Sequence, residues 1–571
     1  MTNSSSIYVN TKKPIIKAKR RPALCALVVW LLAVLFTACA QAPVPTADTP
    51  VPLTQPTATT AAPSASPTPT TIAKPTATPA LDPGGSIAIG VLGSSTLELN
   101  VMPAFLQRAV FDSLLTLDPA TGALKPGLAE SYLVSADGRT MTFRLRPGVH
   151  WHNGDAFAAD DVVATIKAFS DPNFRGTPLT NFGTLTRVNA VDSQTVQLTF
   201  SDADCSTLTS IGTMSILPRA VATSANFPQL TPAQMIGTGA LKFRERSGST
   251  ITLEPNVGYY GGAPGITTWT IQVFADPVAL NAAFTARQID VLPADAGQYA
   301  SVRDLAGANL TFANAQQVVE LLFNTDTTTF NDPRVRQALS YALDRNVLLG
   351  DVAGQGELID GSALPGYWGI TGSLPRYSFD STKAKQILAD DGWRDSGDGV
   401  LRKNGKPMRV ELWTEADDPI LEPLAFRVRE MYAALGIDVV MQLDDRPGWV
   451  TRAFDHRFDL LLLTRKLPLD PDQSWYWQSD QDAKGSGFNF GSYSNTQIDA
   501  DFKSMARVGG CDPNGRAAFF TDINRILATE APATFLFATR QYLVARDSVV
   551  GPAPSSFAGV FWNIGAWRVR Q

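Results

Sequence analysis

Four charged residues in one short stretch have the types and spacing to do recognition chemistry: Arg465, Lys466, Asp470 and Asp472. A neighbouring guanidinium and ammonium suit an anionic or carboxylate-bearing ligand, because both make charge-assisted hydrogen bonds to carboxylate oxygens. In the alternative reading Arg465 and Lys466 are solvated or pair with Asp470 and Asp472, and no free charge remains. Trp475-Tyr476-Trp477 follows directly, and Trp413 and Asn489 lie in segments of similar character. These aromatic faces could stack on a flat or sugar-like ligand or could fill core. Asn489 carries both a donor and an acceptor.

Catalytic chemistry has little to work with. The three histidines are His150, His152 and His456. His150 and His152 are two apart and so share a strand face, which makes half a metal site at most. No G-x-S-x-G elbow, P-loop or H-E-x-x-H helix is present. Nothing therefore places a nucleophile beside a base, and neither a cofactor nor a resident metal is expected. Of the four cysteines, Cys205 and Cys511 stand alone in the body, without a CxxC partner. A thiolate metal site is excluded on that spacing. A Cys205–Cys511 disulfide is open to the chain in an oxidising compartment.

The elements that must position these residues begin with an export leader. Six basic residues and no acid precede an apolar run from Ala23 to Phe36. That run is too short for a membrane-spanning helix and has the length of a signal-peptide core. It ends in Leu35-Phe36-Thr37-Ala38-Cys39, small residues before a cysteine, so that 1–38 reads as a signal peptide. Residues 39–84 are dominated by Pro, Thr, Ala and Ser. Such a segment cannot bury enough apolar surface to fold, and its prolines favour an extended spacer of up to about 140 Å. Removal of the leader takes the net charge from −5 to −11. So acidic a body is unsuited to nucleic acid, whose phosphates attract dense Lys and Arg.

From residue 85 the pattern alternates strands and helices. Ile87–Val91, Met141–Leu145 and Thr195–Phe200 read as strands, the last two with period-two alternation. Asp160–Phe169 reads as a helix with acids in its first turn, and Asp332-Pro333 as an N-cap followed by proline at the first helical position. The 571 residues exceed one core of ordinary size, so two or three domains are expected.

Several segments, in order, resemble the extracellular solute-binding proteins that serve oligopeptide, dipeptide, nickel and some sugar importers. They run from Phe111-Asp112-Ser113-Leu114-Leu115 through Leu124–Ser131, Asp137–Thr140, Phe143–Val149 and His152-Asn153-Gly154 to Ala159–Val162. Gly237-Thr238-Gly239, Asn256–Gly262, Phe323-Asn324-Thr325, Val335–Leu339, Ala342–Arg345, Gly392-Trp393 and Phe458-Asp459-Leu460 continue the match. The Ala38-Cys39 junction similarly resembles the lipobox of bacterial lipoproteins, which would make Cys39 the lipidated first residue.

The resemblance implies an α/β fold of the type II periplasmic-binding-protein class: a two-lobed clamshell with an extra subdomain in the first lobe. The first lobe would hold 85–317 plus 541–571, with the subdomain near 118–205, and the second 318–540. It implies a monomeric, non-enzymatic protein that captures a peptide-like or other small solute and hands it to the transmembrane subunits of an ABC permease. Its place would be outside the cytoplasm, or in a periplasm, on a lipid anchor. An oligosaccharide binder or a non-transport sensor of the same fold are the alternatives. Most signature residues then serve the scaffold: Asp137-Gly138, Gly148 and Gly154 as turns, Arg336 and Arg345 in packing salt bridges. Val101 joins Trp413, Arg465, Lys466, Asp470, Trp475 and Asn489 as a candidate ligand contact, because the family's first loop approaches the cleft there. Peptide-binding relatives carry an aspartate for the peptide's ammonium where this chain has Leu467 or Pro468, so Asp470 could serve only through a shifted loop.

Overall fold

The computed structural model describes residues 84–99, 101–171, 174, 182, 184–370 and 372–570, all within one compact unit, Ala77–Gln571. The leader, Cys39 and all of the Pro/Thr-rich segment but Gly84 lie outside the described residues.

Two strands hold the architecture together: Ala308–Phe323 and Ala533–Arg546. Each is long enough to take part in both lobes. They pair antiparallel with each other, Ala308 opposite Arg546 and Leu322 opposite Ala533, with a register shift between Asn314 and Val318. Their first-lobe halves join Val291–Asp295, Ser86–Leu92, Thr268–Phe274, Thr250–Pro255 and Leu241–Ser247 in that order. Their second-lobe halves join Leu460–Lys466, then Arg409–Glu415, then Asp438–Asp444. The irregular stretch Asn314-Ala315-Gln316-Gln317 is where the crossing strands pass from one set to the other, as an inserted bend does in a bulged ladder.

The burial pattern explains the layers. Leu460, Leu461, Leu462 and Leu463 are all buried. Successive strand residues face opposite sides, so both faces of this strand are covered by helices, as inner strands of α/β sheets require. Leu460 and Leu462 join a core with Leu321, Phe323, Leu339 and Leu424, whereas Leu461 and Leu463 join Val318, Phe520 and Trp477 on the other face. In the first lobe Ile87, Ile89, Phe105, Leu543 and Trp567 share one core, and Leu280, Phe284, Tyr542 and Val544 share another across the sheet.

A separate four-stranded antiparallel sheet, in the order Ala129–Val134, Thr140–Leu145, Thr195–Phe200, Leu185–Asp192, falls inside the 118–205 segment. The helix Ala159–Ser170 accompanies it, and the Asp161 carboxylate accepts from the Ala158 N–H at the helix start. Asp332, Asp344, Asp380 and Asp445 cap further helices through their side chains, satisfying amides that have no partner within the helix. Gly138, Gly148 and Gly154 adopt φ of +71°, +73° and +93°, the left-handed turns expected of them. Arg345 makes its salt bridge, to Asp360 at 2.8 Å. Arg336 does not: its guanidinium donates to the carbonyls of Phe330, Glu530 and Ala531, closing the end of the helix Pro513–Glu530.

Candidate functional site between the lobes

Loops that leave the carboxyl ends of parallel strands in both lobes meet beside the crossing strands, the usual place for a ligand crevice in an open α/β sheet. From the first lobe come the loop after Ser86–Leu92 and the turn after Val291–Asp295. From the second come the loops after Arg409–Glu415, Asp438–Asp444 and Leu460–Lys466. The crossing strands are tied locally by polar side chains. Gln316 donates to Ser556 O (2.9 Å), Gln541 to Asn314 O (3.1 Å) and Ser555 O (3.0 Å), and Asn314 to Glu357 (2.7 Å).

Arg465 is fully enclosed. Its guanidinium meets Glu320 through Nε and Nη2, and Nη1 donates to Gln473 Oε1 at 2.9 Å. Tyr476 donates its hydroxyl to the same Glu320 carboxylate (2.7 Å), and its ring lies 4.5 Å from the guanidinium carbon. Burial raises the Tyr476 phenol well above its usual range, with the Glu320 charge acting in the same direction, so it stays a donor at every relevant pH. Asp470 is buried and holds Arg516 through both oxygens, at 2.9 Å from Nη1 and through Nη2, while Thr209 Oγ1 of the first lobe donates to it at 2.7 Å. Internal pairing thus exists, but with other partners than the nearest charges: Glu320 for Arg465, Arg516 for Asp470. Lys466 alone of the four is exposed; it lies at the strand end opposite Gln317. Asp472 accepts from Ser474 N at 2.8 Å, and burial, aided by the Asp470 and Asp204 carboxylates, pushes it up to about 6.

The other candidates take different positions. Asn489 is buried and spends its amide on Gln478 O, Tyr493 O and Tyr493 N. Trp475 is partly exposed against Phe488, whereas Trp477 is buried. Val101 is exposed on a turn in the loop after the first strand. Trp413 is mostly buried, donates to Glu411 at 3.0 Å, and carries the Arg452 guanidinium 3.2 Å above its ring. His152 is committed to backbone: Nδ1 accepts from Gly237 N (3.2 Å) and Nε2 faces Gly239 O (3.0 Å). Burial pushes it down to about 4, which keeps it neutral.

Two residues stand out that sequence reasoning missed. Trp449 Nε1 and Arg452 Nε, on the helix Arg446–Phe454, are buried donors with no hydrogen-bond partner in the protein. Buried donors are nearly always paired, so these two are candidates to meet a ligand acceptor, and the Arg452 guanidinium lies over the Trp413 ring. The helix starts where Asp438–Asp444 ends, at the same crevice. The signal in sequence was faint: Trp449-x-x-Arg452 at one-turn spacing on a helix, which reads equally as surface packing.

Comparison with known proteins adds three findings. A sequence profile of the bacterial extracellular solute-binding proteins, family 5, middle region, matches residues 123–486. The oligopeptide-binding protein AppA of Bacillus subtilis is 26% identical over 487 residues, covering 82% of this chain and 89% of its own; its structure with a nonapeptide superposes with a TM-score of 0.64 over 86% of this chain and 100% of that one. The nickel-binding periplasmic protein of Escherichia coli is 27% identical over 406 residues, 67% of this chain and 75% of its own, and the structure of HbpA2 from Haemophilus parasuis, at 20% identity, shares the fold with a TM-score of 0.74 over 85% of this chain and all of that one.

Proposed function

The chain belongs to the family 5 bacterial extracellular solute-binding proteins, and from that premise we propose that it captures a peptide-like solute between its two lobes and delivers it to the transmembrane subunits of an ABC importer. It is a binding component of transport and not an enzyme. The observation that carries this reading is the pair of crossing strands, Ala308–Phe323 and Ala533–Arg546, which join two α/β lobes around the loop-lined crevice. The relative named oligopeptide-binding protein supports a peptide-like ligand.

Capture works by equilibrium. Ligand favours the closed form only by its greater affinity for it, and a shift from mostly open to mostly closed needs about 5.5 kcal/mol of such preference. Residues from both lobes must therefore touch the ligand at once. The recognition elements we assign are Val101 and its loop from the first lobe, with Trp413, Trp449, Arg452, Lys466 and Trp475 from the second. Arg465, Asp470 and Asn489 support them from behind, each already engaged by protein partners. The lobe boundaries that fit the register shift are 85–317 plus 541–571 and 318–540, with the subdomain at 118–205.

The finer assignments are a signal peptide at 1–38, lipidation of Cys39, a solvated tether to residue 84 and a monomeric body held at the outer face of the membrane. An oligosaccharide ligand is less well served, because Tyr476 and Trp477 are buried and leave Trp475 alone as an exposed ring of that trio. The test is mass spectrometry of the ligand released from purified protein, followed by thermal-shift titration with peptides and with oligosaccharides. Peptides should raise the melting temperature; a rise with sugars and none with saturating peptides would reject the peptide assignment.

A further inference from the structure

Cys205 and Cys511 are joined by a disulfide that spans 306 residues of chain. The two ends belong to different lobes. Cys205 precedes the helix Ser206–Thr213 of the first lobe, and Cys511 precedes the long second-lobe helix Pro513–Glu530. The loop that delivers Cys511 turns through Gly510 at φ +65°, and the Cys511 side chain is buried in the first lobe's core rather than its own.

The bond sits in a seam of other inter-lobe contacts. Cys205 N–H donates to Ala506 O (2.9 Å), Arg507 pairs with Asp202 (2.7 Å), and Thr209 donates to Asp470 (2.7 Å). Trp368 N–H donates to Thr121 O (3.1 Å) on the same side. This seam covers the face of the crossing strands that carries Leu543 and Val318. On the opposite face, which carries Val544 and Val319, two contacts between the lobes stand out among the described residues. Gly297 lies against Pro419, close enough that an added Cβ would come within 3.1 Å of its ring, and Asn314 reaches Glu357.

We propose that the Cys205–Cys511 bond makes the seam a permanent second joint, so that the crevice opens only on the Gly297–Pro419 side, and that reduction of this one bond releases a wider opening. The crossing strands alone would let the lobes part on either face. A covalent link on one face removes that freedom, because its ends cannot separate while the strands stay paired. Reduction by a dithiol proceeds by thiolate attack on one sulfur, departure of the other as thiolate, and closure of the reductant's own disulfide. Two electrons and two protons then reside on Cys205 and Cys511. The proposal rests on the two-lobed binding reading but not on which ligand is carried.

The test compares ligand-free protein in three forms: oxidised, fully reduced with dithiothreitol, and carrying Cys205→Ser with Cys511→Ser. Hydrogen exchange is read in peptides spanning 203–209 and 504–511, with Leu460–Lys466 as the folding control. Loss of the joint should speed exchange in the seam by about thirtyfold or more, the low end of what a long-loop disulfide stabilises, and enlarge the radius of gyration in solution scattering. The control strand should keep its protection. Equal seam exchange in all three forms overturns the proposal, as does titration of two free thiols in the exported protein. Loss of protection in the control strand on reduction overturns it too, since the bond would then be a general staple. No ligand enters the measurement, so these failures leave the capture reading standing, and failure of peptides to bind leaves the joint standing.

Discussion

The Arg465 guanidinium and the Glu320 carboxylate meet edge to edge, Nε–Oε1 at 2.9 Å and Nη2–Oε2 at 3.0 Å, with both side chains out of solvent. Glu320 lies on a crossing strand just past the register shift, and Arg465 on the strand beside it. The pair therefore ties the crossing strand to its neighbour in the sheet, next to the register shift.

Removal of either partner alone leaves an uncompensated charge in the interior. Glu320→Gln should lower the unfolding free energy by about 3–5 kcal/mol, whereas Glu320→Leu with Arg465→Met should recover most of it. Urea denaturation of the three variants checks this. A single variant that unfolds at the wild-type midpoint would show that the pair contributes nothing at that position.

The outline of this fold was legible in the chain because local signals agree with it. The strands around Ile89, Phe143 and Leu198 and the cap at Asp332 follow from alternation and side-chain chemistry near in sequence. The candidate site was far less legible. Arg465 and Lys466 read alike as free cations, yet strand alternation sends one into the core, onto Glu320, and the other to the surface. Glu320 is 145 residues away from Arg465, so no local pattern names it as the partner. Separation in sequence likewise hides Arg516 from Asp470 and Arg452 from Trp413, whereas the Cys205–Cys511 pairing was open to the reading because no other cysteine lies in the body.

Asp472 gives a pH dependence of definite sign. Its carboxyl, near 3.8 when unperturbed, titrates at about 6 in the folded protein because burial opposes its charge. Below pH 4 both states are protonated and the shift has no effect. Between about pH 4 and 6 the folded state binds more protons than the unfolded one, so this group's contribution falls as pH rises and reaches its full cost above 6. Asp472→Asn, which keeps an oxygen for Ser474 N–H, should therefore stabilise the protein at pH 7 by up to about 3 kcal/mol, at ~1.4 kcal/mol per pH unit. The gain should vanish near pH 4. Equal gains at both values in thermal melts would show that the carboxylate charge is not the cause.

The orphaned donors predict where affinity resides. Arg452→Ala removes a cation held over the Trp413 ring together with an unpaired buried Nε. A hydrogen bond to a charged group contributes about 1.5–3 kcal/mol. Binding of the co-purified ligand should accordingly weaken tenfold or more by calorimetry, with the ligand-free melting temperature little changed. Unaltered affinity would assign Arg452 to packing.

The anchor prediction rests on Cys39, the single thiol at the end of the apolar run of the leader. On the proposed reading, a lipid attached there would hold the body at the membrane, so that capture and delivery would share one location. One acyl chain binds a bilayer only marginally, and stable retention takes more than one. Cys39→Ala should thus move the protein from the membrane fraction into the periplasm or medium and abolish incorporation of labelled palmitate. The purified body should still bind its ligand as wild type does, because the proposed ligand contacts all lie in the described residues beyond the leader. A Cys39→Ala protein that stays in the membrane fraction would show that the apolar run from Ala23 to Phe36 is itself the anchor.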